Sequence, residues 1–269
     1  MDRHSELDRL VLCVGLLAWK LKLGVALVDY SMKELDVNEK LPFLVIGHRG
    51  CVGAEPENTL RAIRRAIELG CMMVEVDVYF VDGELVVHHD QRVDRTSNGR
   101  GRLDGYTFES LRELDFGKGE IIPTLEEVLD LCLGRTEVNI ELKGPRTAAP
   151  VVSLLLRRER VDRVILSSFE WEQLGEVREL SDVSVAVLVQ HARQFPEGLD
   201  LAESLGALWI NLGLKILTPA RVASAHGRGL QVASYTVKSV GDLKKVLASG
   251  ADACFADDPK MVIDFLCDM

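Results

Sequence analysis

Three carboxylates have a spacing that predicts a metal site. Glu75 and Asp77 are two residues apart in an apolar run, so a strand would turn both side chains to one face. Carboxylates paired on one face repel each other, and they are tolerable where that face meets water or a cation. Glu141 stands near the end of a second alternating run, residues 138–142. Because oxygen ligands suit hard cations better than zinc, the pattern predicts one divalent metal ion, Mg²⁺ or Ca²⁺.

Two histidine-containing segments also follow short apolar runs. His48 follows residues 43–46, and His88 and His89 follow residues 85–87. An imidazole titrates near neutral pH and can take or give a proton. A lone histidine after a strand is usually a packed or surface residue, but two of them beside three acids favour acid–base chemistry. Because His88 alternates with His89, we predict that it lies in the barrel wall.

Apolar and amphipathic runs alternate from residue 40 onward, and their period predicts how these residues are positioned. Eight β/α units favour a closed (β/α)8 barrel over an open doubly wound sheet. The carboxyl ends of barrel strands form one rim, and the acids and histidines all fall there. The predicted strands are residues 43–47, 72–78, 138–142, 164–167, 183–189, 208–211, 231–235 and 253–256. The predicted helices are residues 58–69, 125–133, 149–158, 171–180, 199–205, 219–226, 240–248 and 260–267.

One connection interrupts this alternation after the second strand. Residues 80–122 hold no strong β/α unit, and we predict a small insertion that begins with a hairpin at Asp82 and Gly83. A polar, glycine-rich loop at residues 95–101 and a short helix at residues 108–114 follow. Long connections in compact domains are usually functional or disordered, so we place the insertion on the catalytic face.

Residues 1–39 form a separate predicted unit before the barrel domain, residues 40–269. Their apolar residues recur at a three/four spacing and predict an amphipathic, largely apolar helix with a linker. Residues 10–28 have the length of a bilayer span, but Lys20 and Lys22 lie near its middle, where each costs roughly 2.5–3.5 kcal/mol. The helix is therefore predicted to dock on this protein or a partner chain, to contact a membrane surface, or, least favourably, to anchor in the membrane.

The composition restricts the partners and the compartment. The formal net charge is −10 and no strong basic stripe offsets it, which argues against nucleic acid as a partner. Six scattered cysteines without a CxxC pair predict reduced thiols in a cytoplasmic protein, which could be membrane-associated through its N-terminal helix. The oligomeric state stays open, and a homo-oligomer is one of the hypotheses.

Several short motifs between residues 43 and 257 carry a family resemblance. They are His48-Arg49-Gly50, Pro56-Glu57-Asn58-Thr59, Glu75-x-Asp77, His89-Asp90, Asp94-Arg95-Thr96-Ser97-Asn98-Gly99, Ile122-Pro123-Thr124-Leu125 and Glu141-x-Lys143. Together they resemble the glycerophosphodiester phosphodiesterase family. The resemblance implies a TIM barrel with an inserted subdomain. It also implies metal-dependent hydrolysis of small-molecule glycerophosphodiesters to glycerol 3-phosphate and an alcohol, a reaction of lipid and glycerol metabolism.

The resemblance also assigns roles to the matching positions. Glu75, Asp77 and Glu141 would hold the divalent metal ion. His48 and His89 would be the general acid/base pair, one taking a proton and the other supplying one to the leaving alkoxide. The sequence leaves open whether the nucleophile is water or the glycerol hydroxyl of the substrate, acting through a cyclic phosphate.

Four further residues would support this chemistry. Arg49 and Lys143 would contact the phosphate. Arg49 could donate two parallel N–H bonds, and Lys143 would add a compact positive charge. Glu57 would touch the metal site, and Asn58 would orient its ligands from behind. The alternative for residues 56–59 is a plain loop and helix start with a capping side chain.

The second half departs from the family pattern. Where the family has Trp-Thr-Val-Asn on the seventh strand, this sequence has Tyr235 and Lys238 in place of the Trp and the Asn. A phenol would therefore replace the indole that walls the substrate pocket. Tyr235 keeps an aromatic face that could meet a choline-like head group by cation–π attraction, so we predict that it contacts the substrate.

Three functions are compatible with these residues. The first is a metal-dependent phosphodiesterase that acts on soluble deacylated phospholipids. The second, motivated by the N-terminal helix, is a lysophospholipase D-type phosphodiesterase that acts on membrane lysolipids. The third is a non-catalytic binding barrel, which is disfavoured because such a protein has no physical reason to keep repelling carboxylates together.

Overall fold

Strands and helices alternate around a closed ring. The computed structural model describes residues 43–159 and 161–269, and within them eight parallel strands close a barrel. The predicted (β/α)8 TIM barrel is therefore confirmed. The strands are β1 (Leu44–Gly47), β2 (Met73–Val81), β3 (Glu84–Val87), β4 (Glu137–Leu142), β5 (Val164–Ser168), β6 (Ser184–Val189), β7 (Trp209–Gly213), β8 (Gln231–Val237) and β9 (Ala253–Ala256). The helices are α1 (Leu60–Glu68), α2 (Phe108–Arg112), α3 (Leu125–Cys132), α4 (Ala148–Arg157), α5 (Trp171–Leu180), α6 (Phe195–Ser204), α7 (Pro219–His226), α8 (Val240–Ser249) and α9 (Pro259–Cys267).

The strand register decides which side chains meet at the rim. β1 pairs with both β2 and β9, which closes the ring. β2 and β4 are aligned so that Asp77 lies beside Glu141 and Glu75 beside Asn139. Since successive side chains alternate between the two faces of a strand, this register turns all three predicted metal ligands to the barrel interior.

Two apolar layers hold the barrel. Inside it, side chains such as Ile46, Met73 and Trp209 fill the space below the rim. The larger core lies between the strands and the surrounding helices. Because the floor of the barrel is apolar, charged groups placed above it lose much of their hydration.

Side-chain caps start most of these helices where the sequence predicts. Thr124 begins α3 in a capping box with Glu127, and Thr218 caps α7 at Pro219. The prediction of residues 199–205 for α6 was too short, because the helix begins at Phe195. Pro196 fits the first turn of α6, where its missing N–H leaves no helical hydrogen bond unmade.

The predicted insertion forms a small unit with its own core. β2 continues past the barrel to Val81 and pairs antiparallel with β3, so the predicted hairpin is present. Asp82 and Gly83 both have positive φ, 51° and 85°, which is typical of a two-residue hairpin turn. Its core is formed by Val81, Val86, Val93, Leu103, Leu111, Phe116 and Ile122. The insertion packs its own apolar residues, and its first strand is the final part of β2.

The helix predicted within residues 1–39 lies outside the described residues. Its docking, membrane-surface and anchor alternatives therefore stay predictions. In the described part of the chain, no helix combines the length and the apolar character that crossing a bilayer requires.

Gly50 is expected to be far more sensitive to substitution than Gly70. Both have positive φ, 82° and 84°, but a Cβ on Gly50 would lie 2.6 Å from the Ala62 carbonyl carbon, whereas nothing surrounds Gly70 within 4 Å. Gly70→Ala should lower the free energy of unfolding by about 1–2 kcal/mol through its backbone alone. Gly50→Ala should cost about 1–3 kcal/mol more, because α1 must shift. Urea denaturation of both variants measures this, and equal losses would contradict it.

Candidate active site

The three predicted metal ligands meet at the carboxyl end of the barrel. Glu75 and Asp77 extend from β2 and Glu141 from β4, and one carboxylate oxygen of each lies within 4.8 Å of the others. Glu75 and Asp77 are only 2% and 1% exposed. The structure therefore brings Glu141 of one strand together with the two acids of another.

The electrostatics of this cluster fit a divalent cation. Burial raises the pKa of Glu75 well above its ordinary value, and Asp77 and Glu141 raise it further. Burial and Asp77 raise the pKa of Glu141 to about 7. Burial also opposes ionisation of Asp77, but Lys143, His89 and Arg49 hold its pKa below the ordinary value. Glu75 Oε1 is buried and has no hydrogen-bond partner, so an oxygen atom is available for a cation.

Two cationic side chains border the carboxylates. Lys143 Nζ lies 3.2 Å from Asp77 Oδ1 and also contacts Glu141 Oε1. Arg49 Nε lies 3.5 Å from Asp77 Oδ2, and its backbone N–H donates to Glu75 Oε2 at 2.8 Å. Burial opposes the charge of Lys143, but Asp77 and Glu141 raise its pKa above the ordinary value. Both predicted phosphate contacts are thus charged groups beside the acidic cluster.

Asn58 contacts the acidic cluster directly, whereas Glu57 contacts a cation that borders it. Asn58 Nδ2 donates to Asp77 Oδ2 at 2.9 Å, and Asn58 Oδ1 accepts the Asp77 backbone N–H at 3.2 Å. These reciprocal bonds hold the Asp77 carboxylate in one orientation. Glu57 accepts hydrogen bonds from Arg49, at 2.7 Å between Oε1 and Nη1, and from Arg95. The helix cap considered for this segment is also present, on Thr59.

A carboxylate holds each of the two predicted acid/base histidines. His48 Nδ1 lies 2.6 Å from Asp257 Oδ1, and His89 Nδ1 lies 2.6 Å from Asp90 Oδ1. A carboxylate on Nδ1 favours the tautomer that leaves Nε2 available for proton transfer. Burial lowers the pKa of His89 below its ordinary value, although Asp77 opposes this shift.

His88 is directed to a different place from His89. Its ring is buried and meets Phe116 of the insertion core edge-on, with 5.6 Å between ring centroids. Burial lowers its pKa to about 4. These contacts give His88 a packing role within the insertion, not in the barrel wall as predicted.

A cavity of about 360 Å³ opens beside these groups. One side carries His48, His89 and the charged residues of the acidic cluster. The other side is aromatic, with Tyr235 edge-on to both Phe169 and Phe255 at centroid distances of 5.7 and 6.3 Å. The cavity therefore combines a charged wall with an apolar one.

Known proteins are similar to this chain over most of its length. The model of the glycerophosphoryl diester phosphodiesterase family matches residues 48–261. A glycerophosphodiester phosphodiesterase of Caldanaerobacter subterraneus subsp. tengcongensis is 34% identical over 242 residues, covering 83% of this chain and 97% of that protein. The chain belongs to the glycerophosphodiester phosphodiesterase family. It is therefore a phosphoric diester hydrolase.

Solved structures of similar proteins share the barrel. One from Silicibacter pomeroyi has a TM-score of 0.78 at 27% identity and covers 85% of this chain and 94% of its own. An Oleispira antarctica phosphodiesterase, solved in complex with the product sn-glycerol-3-phosphate, has a TM-score of 0.76 at 26% identity. That alignment covers 83% of this chain and 96% of the Oleispira chain.

Two residues that contact the histidines of this phosphodiesterase had no predicted role. Asp90 directly follows His89, so the His-Asp pair itself was a usable signal. Asp257 lies 209 residues from His48, and only the closure of β1 onto β9 brings them together. Lys238, which departs from the family pattern, lies with its Nζ 3.3 Å from Asp257 Oδ2. This departure therefore changes the charge next to a histidine partner.

Proposed function

We propose that this chain hydrolyses glycerophosphodiesters to glycerol 3-phosphate and an alcohol with a divalent metal ion held by Glu75, Asp77 and Glu141. The observation that carries the proposal is the trio of carboxylates, two buried and one partly buried, within 4.8 Å of one another and flanked by two carboxylate-held histidines. A divalent ion bound there would supply Lewis-acid neutralisation of the charge on the phosphodiester.

Arg49 and Lys143 bind and orient the phosphate in this proposal. Both charged groups border the cavity and lie against the acidic cluster. The Arg49 guanidinium lines the cavity, and its planar fork of N–H donors suits phosphate oxygens. Lys143 adds a compact charge on the β4 side, and the two cations together offset the repulsion between an anionic ester and three acids.

His48 and His89 move the protons. The Asp257 and Asp90 carboxylates hold their Nδ1 atoms, so Nε2 of one ring can take a proton from the nucleophile. Nε2 of the other ring supplies a proton to the leaving alkoxide. The apolar floor of the barrel limits bulk water around these transfers, which strengthens the electrostatic interactions.

The aromatic wall receives the alcohol portion of the diester. Tyr235 presents its ring to the cavity, and its hydroxyl is buried without a partner. A ring face attracts a cationic head group, and an unpaired hydroxyl can bond to a polar one. We therefore propose Tyr235 as a substrate contact.

A substrate panel tests the proposed function. Glycerophosphocholine, glycerophosphoethanolamine and lysophosphatidylcholine are each incubated with Mg²⁺ or Ca²⁺, and the released phosphate ester is identified. We expect glycerol 3-phosphate from both deacylated substrates and a much lower rate with the lysolipid. Turnover of the lysolipid in preference would favour the lysophospholipase D-type function, and no turnover of any diester would contradict the proposal.

A further inference from the structure

Arg95 of the insertion binds two carboxylates beside the site. Its Nη1 and Nη2 donate to the two carboxylate oxygens of Glu57 at 2.7 Å each, and its Nε donates to Asp90 Oδ2 at 2.6 Å. One guanidinium thus binds two acids that belong to different segments of the chain. A lysine at this position would offer a single charged atom and could not reproduce the planar fork.

Each of these acids also holds a side chain that borders the cavity. Glu57 Oε1 accepts a hydrogen bond from Arg49 Nη1 at 2.7 Å. Asp90 Oδ1 lies 2.6 Å from His89 Nδ1. A continuous series of contacts therefore leads from Arg49 through Glu57, Arg95 and Asp90 to His89. Its middle member is Arg95, which does not border the cavity itself.

We propose that Arg95 is a positioning residue that sets the orientation of Arg49 and His89 together. The inference rests on the proposed function, which gives Arg49 its phosphate contact and His89 its proton transfer. Removing the fork leaves Glu57 and Asp90 without their shared cation, so both can adopt other rotamers. A misplacement of about 1 Å in a reacting group can lower a rate by about 10²-fold.

The loop that carries Arg95 has its own internal support. Asp94 Oδ2 accepts the Gly101 backbone N–H at 3.0 Å, and the Val93 N–H donates to the Gly101 carbonyl at 3.1 Å. Ser97 Oγ donates to the Val93 carbonyl at 2.8 Å. None of these bonds involves the Arg95 side chain, so its replacement leaves the loop folded. The side chain of Arg95 is 50% exposed and that of Glu57 is 10% exposed. A purely structural Arg95 would change the free energy of unfolding and leave both kinetic constants unchanged.

Arg95→Met tests the inference, and Arg92→Met is its matched control. Arg92 lies three residues before Arg95 and is 59% exposed, against 50% for Arg95, but its ion pair is with Asp94. With glycerophosphocholine, Arg95→Met should lower kcat by about 10- to 100-fold and raise KM by about tenfold. Arg92→Met should stay within about twofold of wild type in both constants. An Arg95→Met enzyme that matches the control overturns the inference, whereas an inactive wild-type enzyme overturns the proposed function and the inference with it.

The contacts of Arg95 with Glu57 and with Asp90 should affect different kinetic constants. Glu57→Gln should mainly raise KM, because it loosens the phosphate contact, and Asp90→Asn should mainly lower kcat, because it releases the imidazole. If Arg95 acts through Asp90, the double variant Arg95→Met/Asp90→Asn has a kcat within about threefold of Asp90→Asn alone. Losses in kcat that multiply in the double variant overturn this coupling.

Discussion

Replacing Glu75 by glutamine is expected to lower kcat/KM by roughly 10³-fold or more and to remove the response of the protein to Mg²⁺ or Ca²⁺. Glu75 is 2% exposed and its Oε1 has no hydrogen-bond partner, so the amide removes one of the three carboxylate charges that would hold the ion. The measurements are steady-state hydrolysis and thermal unfolding with and without the ion. Wild type should unfold at a higher temperature with the ion, because a ligand that binds only the folded state stabilises it.

The matched control for Glu75→Gln is Glu84→Gln. Glu84 is an exposed carboxylate at the start of β3, outside the barrel interior. This variant should keep both the hydrolysis rate and the metal response. Full activity of wild type in excess chelator, or an unchanged metal response in Glu75→Gln, would contradict the metal role.

The same cluster predicts a pH dependence in the metal-free protein. The folded pKa of Glu141 is raised from 4.5 to about 7, so folding favours its protonated form. Its contribution to stability is therefore complete below pH 4.5 and is lost as the pH rises through about 7. Glu141→Gln removes this titration. Urea denaturation in chelator should show wild type losing stability relative to this variant between pH 5 and 8, and a constant difference would contradict the assignment.

Replacing either His48 or His89 by alanine is expected to lower kcat by about 10²- to 10⁴-fold for an alkyl diester. Each ring is held by a carboxylate at 2.6 Å, so its loss removes an oriented proton-transfer group. The two roles separate with a 4-nitrophenyl ester, whose leaving group needs no proton. The variant that lacks the general acid should recover most of its rate with this ester, and the variant that lacks the general base should not.

His226→Ala is the control for both histidine variants. The His226 ring is 40% exposed and pairs with Asp252 at 2.8 Å, away from the cavity. Its replacement should leave kcat within about twofold of wild type, as expected for a surface substitution. Equal recovery of the two active-site variants with the activated ester would show that the histidines do not divide the acid and base roles.

Short-range sequence patterns predicted the strand faces, the barrel and the hairpin. Glu75 and Asp77 share a face because side chains on a strand alternate with a period of two, and the structure keeps that arrangement. The alternation of strands and helices predicted the barrel, since parallel strands need crossover helices. The hairpin at Asp82 and Gly83 followed from turn chemistry. These features depend on neighbours within a few residues, which the sequence displays directly.

The contacts between distant segments depended on the tertiary structure. Glu141 joins Asp77 only because β4 pairs with β2 in one register. Asp257 reaches His48 only because the ring closes at β1 and β9. The fork of Arg95 on Glu57 spans 38 residues, and nothing in their spacing indicates it. The sequence by itself thus determined the barrel fold and the family. Strand register and barrel closure decided which charges meet, because burial and pairing energies act between residues that are adjacent only after folding.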